Sequence, residues 1–334
     1  MKRGQLESPI QWIIALLGGI ALLGMLLFGV KSCASSGQDQ LDAGAARSTA
    51  TVINTQAWQP NTNSTIQVAP LHVMCPAGTL SLAVVDNSGT PTTTYPIDRS
   101  PVFLPAKLQS TMRATTTDLK LARSPVQVRY GSVLYLSDPT VNYYVIQNEQ
   151  GQLQDQQLKN MLPLVTTQRA LAIKEGEKAV VISFDDPRGP DMSQSKTPAS
   201  LVWIRVSGSG VERQATIYKY ENKNWKQQGI VAVPNDVFLA GAIITQDPTL
   251  YQCSLQAVAK RTRYVTQIMQ LRLEDLAAKG VCKEPLQRTA LLFKELHSAQ
   301  QPENYLSILF SDTYTKRLSA QQSALLQQGC PVIA

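Results

Sequence analysis

The stretch DPTLYQCSLQAVAKRTRYVTQIMQLRLEDLAAKG, residues 247–280, decides how the rest of the chain is read. Asp247 suits an N-cap because its carboxylate can accept from the first free amides of a helix, and Pro248 suits the first helical position because it has no amide to leave unpaired. Gly280 suits a stop. Between them Tyr251, Leu255, Val258, Thr262, Val265, Met269 and Leu276 recur at helical spacing. One helix of about 32 residues is therefore expected, with that stripe packed inward. Lys260-Arg261-Thr262-Arg263, the densest basic patch of the chain, then falls on a solvated helix face.

The helix constrains the cysteines. Besides Cys33 the chain carries Cys75, Cys253, Cys282 and Cys330, with none of the short C-x-x-C spacing that zinc and dithiol redox sites use. An even, widely spaced set of four fits structural disulfides outside a reducing compartment. Cys253 lies in the first turns of the helix and Cys282 just past its end, about 40 Å away at 1.5 Å per residue. They cannot bond, because the Cα atoms of a disulfide stay within about 7 Å of each other. A second helix is expected from Pro285 to Ser298, with Leu286, Ala290, Phe293 and Leu296 inward. Further helix is expected over Glu303 to Gln328, broken near Ser311-Asp312 and ended by Gly329. If these helices return antiparallel, Cys282 meets Cys330, which leaves Cys75 for Cys253.

Upstream of Asp247 the hydrophobic period is two. Strands are expected at Thr79 to Val85, Asp118 to Arg123, Val126 to Tyr130, Val133 to Leu136 and Asn142 to Gln147, with Asp86-Asn87-Ser88-Gly89 as a turn. Pro91, Pro96, Pro101, Pro105 and Pro125 confine several of them to edges. Ala179 to Phe184 and Leu201 to Val206 read as buried strands, and Glu221-Asn222-Lys223-Asn224 turns Ala215 to Tyr220 back toward Trp225. This hairpin pattern predicts a largely antiparallel sheet. The expected divisions are a β-rich lobe over 66–165, a second β-rich region over 166–246 and a helical region over 247–334.

At the other end, the nineteen residues from Trp12 to Val30 are uninterruptedly apolar, with Lys2 and Arg3 before them and Lys31 after. Extended back to Ile10, such a run covers the roughly 30 Å hydrocarbon core of a bilayer. Residues 1–9 are read as a cytoplasmic N-terminus, 10–31 as a transmembrane helix and 32–65 as a flexible stalk rich in Ser, Ala, Gln, Asn and Thr. The run exceeds the h-region of a cleaved signal peptide. Ala15 and Gly19 form a small-xxx-small pair through which such helices associate. Cys33 reads as a juxtamembrane thiol, since Lys31 departs from a lipoprotein signal. Asn63-Ser64-Thr65 has the form of a glycosylation acceptor. With the disulfides, this places the body outside the cytoplasm. The expected fold class is thus α+β: an N-terminal transmembrane helix, a largely antiparallel β-rich body and a C-terminal helical bundle or hairpin.

The composition offers little chemistry. A net charge of +7 is dispersed over 334 residues with no Lys/Arg run interleaved with aromatics, so no nucleic-acid partner is expected. Only two histidines occur, His72 in a strand and His297 at a helix end, and no metalloprotease, hydrolase, phosphate-loop or dinucleotide motif accompanies them. Asp185, Asp186 and Asp191 around Pro187-Arg188-Gly189-Pro190 are the one acidic constellation with oxygen ligands suited to calcium. Turn-forming aspartates in a polar loop are the plainer reading. No catalytic residue, metal or cofactor is expected.

Met1-Lys2-Arg3-Gly4-Gln5, followed by Pro9 and the apolar run, resembles the start of single-pass membrane-anchored surface proteins of small-genome archaea. Cys253 opening a long helix, Cys282 after it, and Cys330-Pro331 before an apolar tail resemble their end. The resemblance implies surface display and brings no activity with it. Arg3-Gly4-Gln5 also resembles the processing site of archaeal type IV pilins, which implies cleavage before Gln5. The expected function is a non-catalytic, single-pass, extracytoplasmic protein with a structural or binding role at the cell surface. A pilin-like filament subunit is the alternative and a surface enzyme the third reading. The expected partners are the membrane, through residues 10–31, a protein at the cell surface, and a second copy of the chain.

Overall fold

The computed structural model describes residues 40–59, 62–85, 90–97, 101–120, 129–146, 165–168, 172–185, 189–192, 195–280 and 282–331. Residues 10–31, with Ala15 and Gly19, lie outside them, as do Gln5, Cys33 and Asp186. Among the described residues no helix is long and apolar enough to cross a membrane.

At the heart of the body is a six-stranded sheet in the order β13-β12-β11-β10-β8-β9. Its strands are β8 (Val141–Ile146), β9 (Val165–Gln168), β10 (Lys178–Phe184), β11 (Ser200–Ser207), β12 (Gln214–Glu221) and β13 (Asn224–Ala232). β9, β8, β10 and β11 run parallel, and only β12 and β13 close antiparallel. The expected largely antiparallel body is corrected accordingly, and the transmembrane helix of that expected fold class falls outside the described residues. The described body is α+β, and its largest sheet is mixed with a parallel centre. The physical reason is visible in β10 and β11, where Ala179 to Phe184 and Leu201 to Ile204 are buried without a break. A strand covered on both faces needs apolar side chains at every position, which is the habit of parallel sheets rather than of half-exposed hairpins.

One face of this sheet presents Val180, Ile182, Phe184, Val202 and Ile204 to the helices, and the other presents Ala179, Val181, Leu201 and Trp203 to an aromatic layer. The helical side opens with α2 (Asp236–Thr245), an element the sequence had placed in the second β-rich region. It leads through a left-handed Gln246 into α3 (Pro248–Ala278), the long helix, capped as expected by Asp247, whose carboxylate accepts from the Thr249 and Leu250 amides at 2.9 and 3.0 Å. α4 (Lys283–His297), α5 (Pro302–Leu309) and α6 (Asp312–Gln327) follow, with the break at Ser311, whose hydroxyl accepts from the Tyr314 amide. Gly329 takes the left-handed conformation that ends the last helix.

Two smaller sheets complete the body. β1 (Asn63–Gln67), β6 (Thr111–Lys120), β7 (Arg129–Ser137) and β5 (Val102–Phe103) form one in the order β1-β6-β7-β5. β2 (His72–Met74), β3 (Ser81–Val85) and β4 (Pro91–Pro96) form the other, wholly antiparallel. Over their shared core lies α1, residues 40–56, where the sequence reading had a flexible stalk. Ala46, Thr49, Ala50, Ile53 and Ala57 are buried at helical spacing, and the Ala69 amide donates to the Thr49 hydroxyl at 3.1 Å. The stalk is corrected from residue 40 onward, because this stripe of small side chains lets a helix seat closely on a sheet.

The long helix keeps Cys253 and Cys282 apart, and both expected disulfides form. Cys75 joins Cys253 across 178 residues with Cα atoms 6.2 Å apart, and Cys282 joins Cys330 across 48 residues at 5.9 Å. The first fastens α3 to the small sheets and the second closes the helical region.

Candidate functional site

Three surfaces hold enough chemistry to be weighed. A cavity of about 290 Å³ opens at the end of the central sheet where β8, β10 and β11 begin. Lys107, Lys178 and Lys219 line it together with Asp138, Ser200, Thr245 and Asp247. Asp138, Lys178 and Asp247 are committed to structure. Asp138 accepts from the Thr140 amide at 2.8 Å and hydroxyl at 2.6 Å, and Lys178 Nζ lies 3.1 Å from its other oxygen. Burial alone would raise the Asp138 carboxyl, but the Thr140 bonds and the Lys178 ammonium outweigh it and hold the pKa below the ordinary value. An acid held ionised in this way is a poor proton donor near neutrality. Asp247 is occupied with the cap of α3.

The second surface is aromatic. Trp203 stacks on Tyr218 with centroids 4.4 Å apart, Trp225 meets both Trp203 and Tyr220 edgewise or tilted, and the Trp203 indole donates to the buried Ser183 hydroxyl. From the segment between β10 and β11, Met192 packs against it, and a Cβ on Gly189 would meet the Trp225 ring at 3.0 Å. Here a loop does the covering that a crossover helix commonly does in parallel sheets. Asp185 and Asp191, two of the candidate metal ligands, are exposed, Asp185 at the start of this segment and Asp191 within it, and Asp185 adopts a left-handed turn whose amide donates to the Val206 carbonyl. Among the described residues no group of three His, Cys, Asp or Glu side chains comes together in a way that could hold a metal ion.

The third surface is the outward side of α3. Of the predicted inward stripe Tyr251, Leu255, Val258 and Thr262 are buried and Val265, Met269 and Leu276 half-buried, while Leu273, outside that stripe, is buried as well. On the opposite side Tyr264, Ile268 and Leu271 are 59, 65 and 58 % exposed, spaced four and three residues apart so that they form a second stripe. Trp58, 67 % exposed at the end of α1, stands beside them. A groove of about 510 Å³ runs between Trp58 and the helix over Lys260, Arg261, Tyr264 and Ile268. Arg261 is the floor of this arrangement. Its guanidinium lies 3.9 Å from the centroid of the Trp58 ring, with Gly131 behind it, and burial lowers its pKa from the usual value. The basic patch of the sequence is thus divided over several directions. Lys260 is exposed, Thr262 is buried, and Arg263 donates to the Ala299 and Gln300 carbonyls at 2.6 and 3.2 Å.

Contiguous exposed aromatic and aliphatic side chains with a charged rim are what a contact surface looks like, and this face is the candidate site. The sequence reading missed it for two reasons. It counted only the inward stripe of α3, although Tyr264, Ile268 and Leu271 repeat at helical spacing in the same stretch. It also placed Trp58 in a stalk. Asn63, the glycosylation candidate, is exposed on edge strand β1, where its side-chain oxygen accepts from Arg113 Nε at 3.0 Å. His72 pairs with Ala83 in the β2–β3 ladder, and His297 stacks on Tyr305 with centroids 6.2 Å apart. This chain matches no protein-family model, no curated protein and no solved structure.

Proposed function

We propose that this chain is a single-pass, membrane-anchored, extracytoplasmic protein whose body does structural or binding work at the cell surface and catalyses no reaction. The observation that carries the reading is the pairing of Cys75 with Cys253 and of Cys282 with Cys330, since paired structural cysteines persist where glutathione and thioredoxin do not reduce them. The apolar run from Trp12 to Val30 supplies the attachment. The exposed face of α3 with Trp58 supplies the contact surface. Asp138, Lys178 and Asp247 of the cavity support a non-catalytic role, because they serve a half-buried ion pair and a helix cap.

Membrane fractionation and mass spectrometry of the native N-terminus test this together. The expected result is a carbonate-resistant membrane protein that retains Met1 and whose body is cut by protease added to intact cells. A soluble chain, or a body protected until the cells are lysed, would contradict it. A new terminus at Gln5 would replace the anchored protein by a filament subunit.

A further inference from the structure

We propose that the outward face of α3 pairs antiparallel with the same face of a second copy of the chain, about a two-fold axis that passes between the two helices at the level of Gln267 and Ile268. The inference names the partner of the surface-binding role proposed above and rests on that reading.

Charge order along the helix identifies the occupant. Lys260 stands exposed on the N-terminal side of the apolar stripe, and on its C-terminal side the exposed carboxylates Glu274 and Asp275 outnumber Arg272. An antiparallel two-fold at the level of Gln267 and Ile268 sets Lys260 across from Asp275 and Tyr264 across from Leu271. The patch is therefore complementary to itself, as an isologous interface must be. A parallel pair would set Lys260 on Lys260 and Asp275 on Asp275. A bilayer surface fits less well, because anionic headgroups that attract Lys260 would repel Glu274 and Asp275 on the same side of the helix. The spacing of four and three between Tyr264, Ile268 and Leu271 is that of a seam between two helices crossing at a shallow angle. Trp58, held over Arg261, widens the face beyond one helix.

The local bonds on the acidic side do not compete strongly. Asp275 meets Lys279 at 2.7 Å with both side chains more than half exposed, and Glu274 accepts from Gln270 at 2.9 Å. Exposed pairs of this kind contribute little and can exchange partners. A single helix face makes a modest interface, but attachment to one membrane raises the effective concentration of two copies and lets a weak contact be populated.

The test uses the full-length chain in native membranes, with Cys33→Ser to remove the thiol outside the two disulfides and Gly19→Leu to block association through the apolar run. Ile268→Cys is added and treated with a bis-maleimide matched to the interaxial distance of packed helices, about 8–10 Å. A covalent dimer is expected, whereas Leu291→Cys, equally exposed on α4, gives monomer. Lys260→Asp or Asp275→Lys alone is expected to lower the dimer fraction about fivefold, and the two together to restore it. Restoration is particular to antiparallel self-pairing. Monomer throughout would overturn the proposal. So would dimer that the double reversal fails to recover. The location of the chain is scored separately: a soluble chain that still cross-links with rescue would remove the anchor and leave the pairing.

Discussion

Gly241 shows how closely α2 is seated. A Cβ there would stand 2.7 Å from the Phe103 ring, and Phe103 is itself stacked between Tyr135 and Tyr251 with Phe238 against its edge. No flexible end can give way, so Gly241→Ala should destabilise the body by about 1–3 kcal/mol despite the better helix propensity of alanine, as measured by chemical denaturation. At the start of the same helix Arg213 Nη1 meets Asp236 at 2.7 Å while Arg213 Nε donates to the Val233 carbonyl. The Arg213 side chain is only 10 % exposed, so Asp236→Asn leaves a nearly buried guanidinium without its counter-charge. A loss of about 2–4 kcal/mol is expected, and Arg213→Met with Asp236→Leu should recover part of it. His297 makes the third residue-scale prediction. Burial first and the nearby Arg263 second lower its pKa from the ordinary 6.5, against a backbone hydrogen bond with Thr266 that acts the other way. The unfolded chain therefore takes up this proton before the folded one does. The stability His297 contributes is complete above pH 6.5 and is lost as pH falls through the depressed folded value. Melting followed from pH 7 to pH 5 should show that loss, and His297→Gln should flatten it. An unchanged slope in the variant would contradict the assignment.

At the scale of elements, helix ends were the most legible part of the sequence. Asp247-Pro248, Ser311 and Gly329 act through local geometry, which a sequence states directly. Strand direction was not legible in the same way. Burial on both faces of β10 and β11 could have been read from their unbroken apolar runs, but the neighbour of each strand depends on connections that local pattern does not encode. α2 was missed because Val237 to Ile244 is apolar on every side, and a helix buried all round shows no period of 3.6. α1 was missed because its buried stripe is mostly alanine and threonine, a composition shared with flexible linkers. The structure turns that segment into a prediction. Ile53 is fully buried above the small sheets, so Ile53→Ala should cost about 2–4 kcal/mol. Removal of residues 1–39 should leave folding cooperative, whereas removal through Trp58 should not. Comparable denaturation curves for the two truncations would return α1 to the role of a linker.

For the whole molecule, the two disulfides connect what the chain order separates. Cys75–Cys253 fastens the N-terminal sheets to the first turns of α3, and Cys282–Cys330 ties the last turn of the fold to the loop after α3. Each closes a loop long enough to contribute about 2–5 kcal/mol by restricting the unfolded chain. Their pairing followed from the one long helix over residues 247–280 and the antiparallel return of the helices after it, and it is the part of the candidate function most visible in the sequence. The outward face of α3 was less visible, because an exposed apolar stripe acquires meaning only once the inward one has been placed. Extracytoplasmic display needs those bonds to exist in the native protein. Non-reducing peptide mapping of the chain taken from native membranes, with free thiols alkylated at lysis, tests this most directly. The account predicts Cys75 linked to Cys253 and Cys282 linked to Cys330, with Cys33 outside both pairs; recovery of those four cysteines as alkylated thiols, or of a Cys253–Cys282 linkage, would contradict it.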